Sequence, residues 1–268
     1  MFELSARAQD YVERTKQFIQ NEIEPIETDF WHEVHELNQG GDWTKWQWPA
    51  QLETLKAKAK AAGLWNMFLP CPELGQGLSV QEYAHIAELT GRSLLGPTVF
   101  NCNAPDSGNM EVLWRYGSEA QKQEWLTQLL DGKIRSVFCM TEPAVASSDA
   151  TNMQATAVIE GDEIVLNGRK WWSSGLGDPN AKLIIFMAHT PDESKDRHHQ
   201  HTMVLVPIDA KGVKIERMLK VFNDYDAPHG HGEMHFDNVR VPLSNVIGGA
   251  GEGFAIAQGR LGPGRIHH

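Results

Sequence analysis

The chain has few cysteines: only Cys71, Cys102 and Cys139, with no C-x-x-C pair among them. An odd, scattered set argues against a disulfide framework or a structural zinc site and suits a reducing compartment. Long apolar runs are also missing, since none approaches the roughly 18 residues needed to cross a bilayer. Met1-Phe2-Glu3-Leu4-Ser5 lacks the basic-then-apolar order of a secretion signal, so a cytoplasmic protein is expected. Basic charge is scarce as well. With 24 Lys and Arg against 35 Asp and Glu, the formal net charge of −11 disfavours general binding to nucleic acid or anionic membranes. An anionic ligand would need a local basic patch. No internal repeat or low-complexity tract is present.

What is present divides in two, and 268 residues is a length at which two domains are expected. The first half reads as helices. From Ser5 to Glu24 the residues Ala8, Tyr11, Phe18, Ile19 and Ile23 recur at helical spacing, and Pro25 ends the run. A second helix is predicted from about Pro49, using Leu52, Leu55, Ala59 and Ala62 before Gly63. Ser79-Val80-Gln81-Glu82 and Ser118-Glu119-Ala120-Gln121 both fit capping boxes, and the second helix closes at Gly132.

Near Ser136 the pattern changes to β. Gln154 to Glu160 and Glu163 to Asn167 flank a Gly161-Asp162 turn, a strong hairpin signal. Further strands are predicted at Leu183 to His189, Thr202 to Pro207, Val213 to Met218 and Glu233 to Val239. Short loops join them, so the expectation is an α+β chain: a helical domain, residues 1–135, then an antiparallel β domain, residues 136–247. From 248 to 268 a glycine-rich approach leads into a helix beginning near Phe254. Gly248-Gly249-Ala250-Gly251-Glu252-Gly253-Phe254 fails the register of a dinucleotide fingerprint and follows no βαβ unit, so a flexible approach is the better reading.

Two clusters invite a ligand and are better explained without one. His198, His199 and His201 fall in a polar segment read as an exposed loop, and His229, His231 and His235 surround a Gly-rich turn. No cysteine or clustered carboxylate completes a metal set, so no metal site is expected, though a role near a substrate mouth is open to His229 or His231. Trp43, Trp46 and Trp48 read as the anchor of a loop on the helical domain rather than a stacking surface.

The most specific signal is an ordered trio: Phe138-Cys139-Met140-Thr141-Glu142-Pro143, then Ser147-Ser148-Asp149, then Lys170-Trp171-Trp172-Ser173-Ser174-Gly175. Together these resemble the flavin-cradling signature of the acyl-CoA dehydrogenase family, and within it the subgroup of the tenth and eleventh human members. The resemblance covers essentially the whole chain and implies the family's helical domain, its antiparallel β-barrel-like domain and a stub of its C-terminal helices. It implies FAD as cofactor and an acyl-CoA thioester, long-chain or substituted, as substrate. An electron-transfer flavoprotein is the implied electron acceptor, and the full-length protein is implied to be a homo-oligomer.

Carried over residue by residue, the resemblance places Thr141 at the pyrimidine end of the flavin, with backbone contacts from Phe138 and Met140. Ser174 falls near N5 with Ser173 beside it, and Trp172 packs on the isoalloxazine. Ser148 reaches the pyrophosphate and the pantetheine arm, and Arg265 falls in the substrate region. The turn Ala144-Val145-Ala146-Ser147-Ser148-Asp149 departs from the family's Gly-Ala-Gly-Ser-Asp by one added residue and by loss of the glycines. In some members the catalytic carboxylate immediately precedes the arginine that Arg265 resembles; here Gly264 stands there, so the base is expected beyond His268 and residues 1–268 alone are expected to be inactive. An acyl-CoA oxidase or flavin monooxygenase on the same frame, and a non-catalytic binding or assembly module, are the alternatives.

Overall fold

The structure is a computed structural model that describes residues 3–267, and it divides into two compact units. The first takes the chain up to Gln39, Gln47–Gly108 and the residues from Leu261 onward. Its opening helix, α1 (Ala6–Phe18), buries Ala8, Tyr11, Thr15 and Phe18, spaced three or four residues apart and therefore on one face. The Ser5 hydroxyl caps it, accepting from the Ala8 amide at 3.1 Å. A π-helical turn, Ile19–Ile23, continues the helix to the edge of Pro25, so the predicted single helix contains one wider turn. The next helix, α2 (Glu27–Leu37), was not legible in the sequence, because only Phe30 and Val34 of it are buried. Then come α3 (Gln51–Ala61), α4 (Val80–Thr90) and α5 (Gly96–Val99). The first capping box forms as expected, with Ser79 and Glu82 satisfying one another's amides at 2.9 and 3.3 Å.

The second unit is Gly40–Trp46 together with Asn109–Arg260. α6 (Asp106–Tyr116) leads into α7 (Glu119–Gln121), a π-helical turn and α8 (Thr127–Leu130). The second capping box, Ser118 with Gln121, is present. Gly132, at φ +69°, closes the helix, with Lys133 N on the Gln128 carbonyl at 3.0 Å and Gly132 N on that of Leu129 at 2.9 Å. Seven strands follow in one sheet: β1 (Arg135–Cys139), β2 (Thr156–Glu160), β3 (Glu163–Ser174), β4 (Ala181–His189), β5 (His201–Pro207), β6 (Val213–Leu219) and β7 (His231–Pro242). Their order is β1-β4-β2-β3-β7-β6, with β5 also on β4. The β2–β3 hairpin turns at Gly161, φ +67°.

The sheet is mixed, where an all-antiparallel one was expected: β1 runs parallel to β4, from Ser136 opposite Leu183 to Cys139 opposite Phe186. Hydrophobic patterning reports burial, not strand direction, and the β2–β3 hairpin lets the chain return to the sheet in the same sense. The core lies on one face, where Val137, Cys139, Leu166, Ile184, Val204 and Met234 meet and the Phe186 and Phe236 rings stand 4.3 Å apart. The closing helix is α9 (Gly253–His267). The glycine run before it serves close packing: the Gly251 amide donates to Thr202 Oγ1 at 3.1 Å, and a Cβ on Gly253 would fall 2.8 Å from the His201 carbonyl.

The tryptophan trio divides between the units, which corrects its reading as one anchor on the helical domain. Trp48 lies with Phe30 and Trp31, ring centroids 6.5 and 6.4 Å away. Trp46, 3% exposed, belongs to the β core with Trp43 packed against that core, because Gly177 and Gly230 leave the indole a slot. A Cβ on either glycine would come within 2.6 or 2.9 Å of the ring. With no side chain on those glycines to collapse inward, Trp46→Ala is expected to cost about 3–5 kcal/mol. Urea unfolding measures it, and a loss below about 0.5 kcal/mol, typical of surface positions, would show that the segment is not part of the core.

Candidate functional site

A buried ion pair organises the predicted motif. Lys170 on β3 is fully buried, and its ammonium donates to Glu142 Oε1 at 2.8 Å and to the Met140 carbonyl at 2.9 Å. Glu142, 4% exposed, also accepts the amides of Gln154 at 2.7 Å and Ala155 at 3.0 Å. Burial pushes the Lys170 pKa down while Glu142 holds it up, so the pair is stable as an ion pair only because hydrogen bonds surround it. Strand alternation would have put Glu142 and Met140 on one face and Thr141 with Cys139 on the other. β1 ends at Cys139, so the alternation stops there. Cys139 lies in the core, where burial raises its thiol to about 11, and Glu142 turns in to Lys170.

The loop after Pro143 closes without glycine. No residue from 143 to 155 has positive φ, and the Ser147 hydroxyl ties the loop down by accepting from the Glu142 amide at 2.8 Å and donating to its carbonyl at 3.2 Å. Ser148 is left exposed beside Asp149, which pairs with Arg197 at 2.9 Å.

The expected residues of β1 and β3 are brought together. The Trp171 amide donates to the Thr141 carbonyl at 3.1 Å, joining the two motif segments through their backbones. Between Lys170 and Ser173 the β3–β7 register slips, with Trp172 at φ +52° and 40% exposed. This bulge resets the alternation so that Lys170 and Ser173 both face the core. Ser173 is fully buried and accepts from the Cys139 thiol at 3.3 Å, so its hydroxyl is turned into the core. Ser174, half-buried, is 2.8 Å from His231 Nδ1. The Thr141 hydroxyl makes no hydrogen bond within the described residues, and the buried Trp171 Nε1 has no partner. Free donors beside an exposed indole face suit a planar, heteroatom-rich ring, so these residues fit a flavin. A cleft of about 350 Å³ lined by Glu142, Pro143, Ala144, Gln154, Ala155, Gly168 and Arg169 contains none of the residues expected to touch the cofactor. Arg265 is exposed on α9 and belongs to the helical unit.

The sequence reading missed three groups near this region. Lys170 carried no signal beyond its place in the motif, and Asp226 none at all. On α6, Glu111 is buried, and burial lifts its carboxyl to about 6 despite Arg115 and Arg260. The Arg260 guanidinium lies 3.9 Å over the Phe138 ring and donates to Asn109 at 3.1 Å. Of the histidines, His198 and His199 are exposed as expected, but His201 opens β5 and is buried, with neither ring nitrogen hydrogen-bonded. Among the described residues no three metal-binding side chains come together.

The family described as "Acyl-CoA dehydrogenase, N-terminal domain" matches residues 5–133, and "Acyl-CoA dehydrogenase, middle domain" matches 137–239. Acyl-CoA dehydrogenase family member 11 of Gallus gallus is 52% identical over all of this chain, which spans 34% of that protein. The probable acyl-CoA dehydrogenase FadE2 of Mycobacterium tuberculosis is 50% identical, again over the whole chain and 64% of its own length. A putative acyl-CoA dehydrogenase structure from Mycobacterium abscessus superposes with a TM-score of 0.94 at 59% identity, covering 100% of this chain and 66% of that one. The chain thus spans about a third of the curated relatives it matches first.

Two outcomes follow from the buried charges. Glu142→Gln leaves the Lys170 ammonium unpaired and is expected to cost about 3–5 kcal/mol, with hydrogen exchange quickening at the Gln154 and Ala155 amides; unchanged exchange there would show that the carboxylate does not hold them. His201 is depressed from its ordinary 6.5 to about 4 by burial, with His189 adding to it. Below about pH 6.5 the unfolded chain takes up a proton that the folded chain refuses until about pH 4. Stability is therefore expected to fall across that window by up to about 1.4 kcal/mol per pH unit. His201→Phe should flatten the slope between pH 7 and 5 in urea unfolding.

Proposed function

The chain belongs to the acyl-CoA dehydrogenase family, and we propose that the protein of which it is part carries out FAD-dependent α,β-dehydrogenation of an acyl-CoA thioester. The observation that supports this most directly is the joined pair of segments, Thr141 bonded through its carbonyl to Trp171, with the Thr141 hydroxyl unpartnered and Ser174 outside the core. When bound, FAD supplies the hydride-accepting ring. This chain's residues hold and polarise it: Thr141 at the pyrimidine end, Ser174 toward N5, Trp172 against the ring face, and the backbones of Phe138, Met140 and Ser173 along its edge. Ser148, exposed on a loop that Ser147 ties down, is assigned to the pyrophosphate and pantetheine, and Arg265 to the substrate.

The proton acceptor is assigned to a carboxylate outside these residues, since Gly264 precedes Arg265. Residues 1–268 alone are then inactive. The preferred thioester is a long or substituted chain, the electron acceptor an electron-transfer flavoprotein, the assembly a homo-oligomer and the compartment cytoplasmic. The family matches stop at 133 and resume at 137, which supports a family-domain boundary at 135/136 although residues 109–135 pack with the β unit; the stub of the C-terminal helices is assigned to 248–268.

Charge and hydrogen arriving on the reduced ring are stabilised by fixed hydroxyl groups, Thr141 free to donate at the pyrimidine end and Ser174 able to accept at N5, and losing one such group typically costs about 2.7–4 kcal/mol in the transition state. Thr141→Val and Ser174→Ala in the full-length enzyme are expected to slow single-turnover flavin reduction by that amount, and Cys139→Ser far less. Equal losses for all three, or the largest for Cys139→Ser, would sink the assignment.

A further inference from the structure

Ser174 and His231 are direct cross-strand neighbours on β3 and β7, which fixes their side chains toward one another. The far side of the same imidazole, Nε2, lies 3.3 Å from Asp226 Oδ2. Asp226 sits at φ +55° just before β7, a conformation Asp tolerates, and its carbonyl accepts the Gly230 amide at 2.9 Å, which anchors the carboxylate's backbone. Burial works to raise the Asp226 carboxyl, but the hydrogen bond from His231 leads the effects that hold it below its ordinary value, so the acid is ionised at neutral pH. In the turn before β7, His229 stands 5.9 Å from His231 ring to ring; burial first, and then Arg135, drive it down to about 4, so it brings no charge at neutral pH. The Trp172 ring is 6.1 Å away on the open side.

A neutral imidazole has one donor and one acceptor nitrogen. With an ionised carboxylate at Nε2, the proton belongs on Nε2, and Nδ1 is left as the acceptor. The Ser174 hydroxyl must then spend its only proton on Nδ1, and what it offers outward is an oxygen lone pair. We propose that His231, oriented by Asp226, is a positioning residue that makes Ser174 a hydrogen-bond acceptor toward the flavin N5 edge. The inference rests on the flavin reading given above. It matters because N5 is itself an acceptor in the oxidised ring and carries a hydrogen in the reduced one. An accepting Ser174 favours the reduced ring, whereas a freely rotating hydroxyl would serve the oxidised ring equally well. The relay therefore biases the flavin toward accepting the hydride, and it moves no proton of its own.

The test uses the flavin-loaded, full-length protein labelled with ¹⁵N-histidine. At neutral pH the His231 signals, assigned by their loss in His231→Phe, are expected to show a protonated Nε2 and an unprotonated Nδ1. A protonated Nδ1 overturns the inference whatever the flavin does. In dye-coupled titrations, His231→Phe is expected to lower the reduced-to-oxidised binding ratio of the flavin about tenfold, or about 30 mV for a two-electron couple. Ser174→Ala should do the same, and the double variant no more than either alone, since the two residues act through one hydrogen bond. His231→Asn, whose Oδ1 can stand in for Nδ1, should recover most of the shift, which a loss of packing would not do. Normal flavin binding with an unchanged potential in His231→Phe, or additive shifts in the double variant, would overturn the relay alone. A full-length protein that holds no flavin at all would overturn the functional reading, and the relay with it.

Discussion

The Glu142–Lys170 ion pair is the constraint on which the β unit's working edge depends. Sequestering two charges costs several kcal/mol each, and attraction alone does not offset it without further hydrogen bonds. Here the Met140 carbonyl and the Gln154 and Ala155 amides supply them. The groups of this network come from three stretches of chain: the residues just past β1, the approach to β2 and, in Lys170 itself, β3. One interaction thus sets the distance between Thr141 and Trp171, and the backbone bond between them follows. The glutamate of the Thr-Glu-Pro motif is in this sense an internal strut, and the threonine before it is what faces outward.

The second device is the bulge at Trp171 and Trp172. A regular strand would send Lys170 and Trp172 to one face and Trp171 and Ser173 to the other. Inserting one unpaired residue lets Lys170 and Ser173 both turn inward while Trp172 swings out at a backbone angle that a bulky residue rarely adopts. Strain of this kind persists where surrounding bonds over-determine it. In this chain Lys170 on one side and the Ser174–His231 pairing on the other do so.

Much of this was legible in the sequence, and where it was not, the reason is physical. Strands β4 to β7 came out within two or three residues of their ends, because runs of aliphatic and β-branched residues between turn residues report strands directly, whether buried almost throughout, as in β4 and β5, or on one face. Both capping boxes were read from four residues each, since that chemistry is local. α2 was missed because a helix that buries two side chains carries almost no periodic signal. The parallel placement of β1 was missed because direction is a property of the connection, not of the strand. At the site, Thr141, Trp172 and Ser174 were readable as a motif, but the inward turn of Ser173 was not, since the bulge that causes it has no one-letter signature. Asp226, brought to His231 by a turn, left no trace at all.

The β unit is not a continuous stretch of chain. Gly40–Trp46 belongs to it although the rest of its residues begin at Asn109, and the indole of Trp46 fills a slot that two glycines keep open. A cut at residue 136, where composition changes most clearly, would therefore release a sheet with an indole-shaped hole and an exposed pair of glycines. Any exchange of modules between relatives of this chain would have to carry that seven-residue strap along, or refill the slot with larger side chains at Gly177 and Gly230.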